Sequence, residues 1–598
     1  MSQTQSKTDP STSYGSDQIL WDLSDLYNDL SDPAIEDTMS TAQLQAKAFQ
    51  KRYKGQLAQL SGPELADCFN DYETIRQAMS RLGQYAHLVF ATDTSNQVAK
   101  QLVAKIDESD SYIQNDLLFF HLELSAFSSD RLKTLQQDPA LSDLTYYLTH
   151  AHQTAQYNLS EAEEKVINLK DLTGSQALCK LYEELTASYE FDFELDGKVQ
   201  KMNGSQLRAL RQDLRPDVRR RAMRTFLARY EQDTLIHTHL FNHIVKDYGI
   251  ERELRGYDSA ISIRNTQNDL PDDLIQLLHD VTKESYPLVQ NYYQKKSSIL
   301  GLSDMSLADI YAPIQQSEVR FSWEEAKDIV LSGLSRFDDE FYEKAKLIFD
   351  QNRIHAPIMS KKRGGAFCSC SSPDIAPYVM LNYQGRTRDV ATLAHELGHG
   401  IHDLFACKQR YVNYHPILPL AETASVFTEM IITDLLLSEI KDPAARQALI
   451  ADKLEDIFAT SHRQNVFSSF ELATHSQIDS ALQSPDQLCD QYMRLVKEMF
   501  GDSVQYPDEF KWEWSAIPHI FEWPFYVYAY NFGNLLVMAL YQQYKQQGPD
   551  MIVSLKEILS AGSAASPIEI TQKAGIDITK RDFWVQSLGA IERLLAQF

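Results

Sequence analysis

Three residues could do chemistry together: His395, Glu396 and His399, in the run from Thr392 to His402. On an α-helix, residues four apart lie on one face, one turn above the other. His395 and His399 can therefore aim two imidazoles at one metal ion. Glu396 follows the first of them by one residue and points about 100° round the helix. It stands beside the ion, where a general base for a metal-bound water belongs. This H-E-x-x-H spacing can also arise by chance in a chain with 16 histidines. A single helical histidine is usually packed or solvated, so the surroundings must decide.

A catalytic zinc keeps three protein ligands and one open position. His402 lies near the face of His395, but seven residues of helix rise about 10.5 Å, so three imidazoles strung along one axis cannot converge on a tetrahedral ion. The longer pattern H-E-x-x-H-x-x-G-x-x-H also fails. His402 stands where its Gly belongs and Phe405 where its third His belongs. A carboxylate from another helix is the alternative. The stretch Leu418 to Leu437 reads as that helix, with Glu422 and Glu429 two turns apart on one face. Glu422 is the better ligand candidate. Glu429 would orient a ligating imidazole through its other nitrogen. A solvated helix face would also carry two acids, but Ala424, Val426, Phe427, Met430, Ile431 and Ile432 make this one too apolar.

A further cluster runs from His519 to Tyr530 and holds Tyr526, Tyr528 and Tyr530. Such aromatic density usually packs a core. Tyr526 and Tyr530 are four apart and would share a helix face. A His and Tyr hydroxyls suit the oxyanion formed when water attacks a peptide carbonyl. Tyr528 is equally close in sequence.

These side chains need elements to position them. For the motif helix, Thr387 is the expected N-cap, and Asp389 falls in the first turn, near the positive end of the helix dipole. Val390, Leu393, Ala394 and Leu397 supply its apolar spacing. Just upstream, Gly364-Gly365-Ala-Phe-Cys and Pro377 to Tyr383 read as a strand region. Gly364 and Gly365 would let another backbone approach closely, and a strand here could offer its edge to an extended peptide. An ordinary hairpin would read the same way. Cys368-Ser-Cys370 lacks the C-x-x-C spacing and a second pair, and carries no assigned role.

The rest of the chain bounds the answer. A formal net charge of −26 over 598 residues disfavours nucleic acid and anionic membranes as partners. No run of 18 apolar residues suggests a transmembrane span. Met1 to Gln18 is Ser/Thr/Gln-rich without an apolar stretch, which predicts a disordered tail and not a signal peptide. Six scattered cysteines fit reduced thiols in the cytoplasm. Residues 19 to 200 are helical in pattern and end in an expected hairpin, Phe191 to Met202, turning at Asp196-Gly197. From 201 to 598 the chain is again mostly helical, with helix starts at Arg215-Pro216 and Leu270-Pro271.

Taken in order, seven stretches carry a resemblance. They are Trp21 to Tyr27, Gly256 to Ala260, Arg363 to Phe367, Tyr378 to Tyr383, Arg388 to His399, Ala421 to Ser425 with Glu429, and Pro524 to Tyr528. They span nearly the whole chain, which resembles the oligoendopeptidase F group of the thimet oligopeptidase-like zinc peptidases. The resemblance implies a mainly α fold: a large helical ellipsoid with a deep substrate cleft, a zincin-type core and a small β-sheet beside the metal helix. It implies one zinc per chain held by His395, His399 and Glu422, with Glu396 as base. It implies His519 with Tyr526 and Tyr530 as transition-state donors. Residues 19–200 would form a helical lid over a catalytic domain, 201–598, restricting access to short peptides. The expectation is a cytoplasmic zinc endopeptidase that hydrolyses short unstructured peptides through a Glu-activated, zinc-bound water. Two rivals stand beside it: a metallocarboxypeptidase on a related helical scaffold, and a non-catalytic helical peptide-binding protein.

Overall fold

The computed structural model describes residues 14–314 and 320–598. Of the expected tail, residues 1–13 lie outside that range. Tyr14 to Gln18 are held in place, against expectation. The Trp323 amide donates to the Tyr14 carbonyl at 2.7 Å, and Ser16 is buried. One aromatic anchor and a backbone bond outweigh the polar composition there.

The chain is mainly α, as expected, and packs as two units. The first comprises Met1–Glu161, Glu318–Glu439 and Gln543–Asp577. Its N-terminal part is built on three long helices, Pro33–Tyr53, Gly62–Thr92 and Gln97–Ser125. Asp32-Pro33 and Ser61-Gly62-Pro63 start two of them. Asp32 accepts from the Ala34 amide at 2.9 Å, and Glu64 reaches back to the Ser61 amide at 2.8 Å. Phe49, Phe69, Phe119 and Phe120 fill the space between them, all buried.

The same unit holds a three-stranded sheet: β3 (Ile354–His355), β4 (Phe367–Ser369) and β5 (Tyr378–Met380). The order is β3-β5-β4, with β3 parallel and β4 antiparallel to β5, so β4 is an edge. The helices grip this sheet region. Gln84 donates to the Ser369 carbonyl at 2.9 Å and Ser80 to the Ser371 carbonyl at 3.1 Å.

The second unit comprises Ala162–Ser317, Ile440–Gln542 and Ile578–Phe598. It carries the expected hairpin, β1 (Glu190–Leu195) with β2 (Lys198–Asn203). Asp196 and Gly197 sit at φ 53° and 75°, both left-handed as a two-residue hairpin turn requires. Pro216–Gln232 and Asp272–Glu284 form helices at the expected prolines. Phe191 of β1 stacks on Phe226 at 5.7 Å. The hairpin is thereby tied to the helices after it, and the chain passes from the first unit to the second at 161/162. Among the described residues, no helix is long and apolar enough to cross a membrane.

Candidate active site

The motif lies on the helix Thr387–Ala406. Thr387 is not its cap. Asp389 accepts from the Gln384 and Arg386 amides at 2.8 and 3.0 Å, which starts the helix one residue earlier than expected. Val390, Leu393, Ala394 and Leu397 are fully buried. Gly398, inside the motif, is where a second helix crosses. A Cβ there would stand 2.5 Å from the Ser425 Cα and 2.6 Å from the Ala424 carbonyl. Only a residue without one allows that approach, and the approach brings Glu422 to the histidines.

His395 Nε2 and His399 Nε2 lie 3.4 and 3.5 Å from one oxygen, Glu422 Oε2. The two rings are near-perpendicular, at 81°. Glu422 does not sit inside a continuous helix 418–437. The helix is interrupted at Glu422, between Leu418–Ala421 and Thr423–Glu439. The Glu422 carbonyl opens the second helix by accepting from the Val426 amide at 3.1 Å, and Ser425 Oγ donates to its carboxylate at 2.8 Å. Glu429 Oε2 stands 3.4 Å from His395 Nδ1, on the opposite side of the ring from Glu422. His402 stays apart. It is buried and is not one of the donors that converge on a single point.

The electrostatics ask for a cation. Burial alone would push His395 down, but hydrogen bonds to Glu422 and Glu429 and their charges raise it to about 10. Burial pushes His399 down to about 4. Burial likewise raises Glu422, yet the His395 hydrogen bond and the charges of both histidines outweigh it and bring the carboxyl to about 2. Two carboxylates about two imidazoles are over-supplied with negative charge, and a divalent ion answers that better than one proton. Among the described residues His395, His399 and Glu422 alone form a three-donor set, their donor atoms all within 4.8 Å of one another. Two nitrogens and an oxygen fit zinc. Burial pushes Glu396 up to about 7, only partly offset by the His395 charge and the Cys368 amide. A carboxyl so tuned can both take and return a proton near neutral pH.

These residues line a cavity of about 580 Å³, with the β4 region forming one wall. Cys368 and Cys370 belong to that wall. Cys370 Sγ meets Tyr414 Oη at 2.9 Å. Upstream of β4, Gly365 takes φ 80°, and among the described residues, sequence neighbours aside, no atom lies within 4 Å of where a Cβ would stand at Gly364 or Gly365. Asn382, beyond the end of β5, donates to the Arg363 and Gly365 carbonyls at 3.0 and 2.8 Å and so pins the loop. No spacing in the sequence pointed to Asn382.

His519, Tyr526 and Tyr530 come together within the second unit. Tyr526 stacks on His519 at 6.1 Å, and Tyr530 meets it edge-on at 5.9 Å. The reason differs from shared helical spacing. The helix begins only at Tyr528, and Phe525 takes φ 57°. Glu471 accepts from the Phe525 amide at 2.7 Å, and Arg264 donates to the Pro524 carbonyl at 3.3 Å. This clamped turn carries Tyr526. Tyr528 is fully buried and its hydroxyl accepts from Asn268 at 2.7 Å, which separates it from the other two tyrosines.

A family model described as Peptidase family M3 matches residues 209–590, and one described as Oligopeptidase F matches 123–191. The chain is 26% identical to the oligoendopeptidase F homolog of Lactococcus lactis subsp. lactis, over 97% of each chain. It is 26% identical to the oligopeptidase PepF of Bacillus subtilis, over 88% of this chain and 79% of that one. Oligoendopeptidase-F from Enterococcus faecium shares its fold, with a TM-score of 0.71 at 21% identity over 95% of this chain and 98% of that one. Peptidases of family M3 are in general zinc-dependent, and the His-His-Glu trio is a possible site for such an ion. The match runs through both units and includes the motif helix, so this chain belongs to peptidase family M3 and is a metalloendopeptidase of the oligoendopeptidase F kind.

Proposed function

We propose that this enzyme is a zinc endopeptidase for short unstructured peptides, with one zinc ion held by His395, His399 and Glu422. The observation that carries this reading is the single oxygen of Glu422 facing both imidazoles, with Glu396 on the same cavity. Zinc there supplies Lewis acidity toward water and toward the scissile carbonyl. Glu429 accepts from His395 Nδ1 and so keeps Nε2 free for the metal. Glu396 takes a proton from the attacking water and passes it to the leaving amine. His519, Tyr526 and Tyr530 donate to the developing oxyanion. An extended peptide pairs with the edge strand β4, and Gly364 and Gly365 leave its backbone room. Residues 19–200 restrict access, so that folded proteins, which cannot lay out a single strand without local unfolding, are left intact. Six free cysteines suit a reducing cytoplasm.

Glu396→Gln tests the chemistry. It keeps shape and leaves the ligands in place. Zinc content by elemental analysis should stay near wild type, and hydrolysis of a quenched peptide should fall by at least ~10²-fold. Substantial turnover by the purified variant would remove Glu396 from its role.

A further inference from the structure

The cavity does not end at the metal trio. Asp403 lies one turn beyond His399 on the motif helix and lines the same space, together with Cys368, Cys370 and His415. Its side chain is partly accessible, through the cavity it lines. Among the described residues no donor and no cation meets its carboxyl, and burial is the one influence on it, pushing it up to about 7. Its neighbours are not available to it. Tyr414 and Cys370 are paired with each other, and Cys370 Sγ also points at the Ile375 carbonyl at 3.3 Å. Burial, and after it the charge of Asp403, raises both thiols and the Tyr414 phenol, so all three stay neutral. Burial lowers His415, which leaves it neutral too.

An unpartnered carboxyl in such a place is costly, and an apolar or amide side chain would pack there more cheaply. Two other uses fail on the structure. Asp403 is not part of any second three-donor group among the described residues. The thiols are half-buried and raised, which leaves little thiolate for redox chemistry. What completes the site is a cation on a slender apolar stem. The stem would lie along the sulfur-lined wall and the charge would meet the carboxylate. A cavity of about 580 Å³ has room for it beside the reacting groups.

We propose that Asp403 forms a side-chain subsite that selects a basic residue, lysine or arginine, at one position flanking the scissile bond. This rests on the peptidase reading of the adjoining centre. The zinc-loaded full chain is given quenched peptides that differ only in carrying Lys, Leu or Glu at each position on either side of the cleaved bond. Products are assigned by mass spectrometry. Cleavage of the Leu peptides, abolished in Glu396→Gln, tests the peptidase reading by itself. The ratio of kcat/KM for Lys over Leu tests the subsite. At one position it should reach ~10-fold or more, as a charge-assisted contact allows, with Glu disfavoured there. In Asp403→Asn it should drop to within about twofold, and in Asp403→Glu it should persist. If Asp403→Asn does not fold, Asp403→Ser takes its place and must lose the preference. A wild-type ratio near one at every position overturns the proposal whatever the variants do. So does a ratio that survives removal of the charge.

Discussion

Glu422 and Glu429 reach His395 from opposite nitrogens, at 3.4 Å each, and their replacement separates holding a metal from orienting its ligand. Glu422→Ala should empty the site or leave it holding zinc only weakly. Glu429→Ala should weaken zinc by roughly 10–100-fold, the usual cost of losing an outer partner. His402→Ala should keep its zinc, since His402 is buried outside the trio. Competition against a chelator of known affinity reads all three, and an empty site in the His402 variant would defeat the assignment. At this scale the sequence was legible where spacing carries geometry. H-E-x-x-H predicts two imidazoles on one face, and helix rise rules out His402 as the third ligand. It was not legible where tertiary contact decides. Nothing along the chain sets Tyr528 apart from Tyr526 and Tyr530 until Asn268 is seen to hold its hydroxyl. Asp403 reads as one more helical acid until its cavity is seen.

Two elements are placed by a few close contacts. The motif helix meets the Glu422-bearing helix at Gly398, where a Cβ would strike backbone at 2.5 Å. Backbone cannot swing aside as a side chain can, so Gly398→Ala should push the helices apart. We expect a loss of ~1–3 kcal/mol, typical of overpacking, together with weaker zinc binding. An unchanged melting temperature and zinc affinity would show that the crossing is looser than drawn. The second element is the Trp523–Tyr526 turn. Burial raises Glu471 from 4.5 to about 8, against the Phe525 amide and Arg264, which lower it. A folded-state value above the unfolded one means extra proton uptake on folding between the two. Stability from this group is therefore full below about pH 4.5 and lost as pH rises to about 8, by up to ~1.4 kcal/mol per pH unit. Glu471→Gln keeps the acceptor for Phe525 and cannot ionise. Its denaturation midpoint should gain on wild type between pH 5 and 8, and parallel midpoints across that range would contradict the burial argument. Helices and the β1–β2 turn were readable because prolines, caps and Asp-Gly act locally. The helix break at Glu422 has no such local mark, and Pro524 marks a turn but not the left-handed Phe525 that follows it.

At the scale of the chain, sequence order and packing part company. A hairpin near residue 200, with a family resemblance that implies a helical lid, suggested a lid followed by a catalytic domain. Yet Met1–Glu161 packs within the same unit as the motif helix. The ties are specific. Arg410 pairs with a buried Glu73 at 2.7 Å, the Asp22 amide donates to the Asn352 carbonyl at 2.8 Å, and the Ala356 amide donates to the Ile19 carbonyl at 2.9 Å. Gln84 satisfies the Ser369 carbonyl of β4, the strand that walls the cavity. Removing residues 1–200 would leave these groups unpaired and expose the sheet side of the unit, and each buried polar group so stranded costs about 1–3 kcal/mol. A few such losses rival the net stability of a domain, which is only about 5–15 kcal/mol. The N-terminal helices therefore belong to the packing of the unit that carries the metal trio, and the access restriction proposed for them should not be separable from it. The fragment 201–598 should lack a cooperative denaturation transition, retain no stoichiometric zinc and show no peptide turnover. Near-ultraviolet circular dichroism, metal analysis and a quenched-peptide assay on the purified fragment check each point. A folded, zinc-bound fragment that digests folded proteins would mean that residues 1–200 are a removable lid after all.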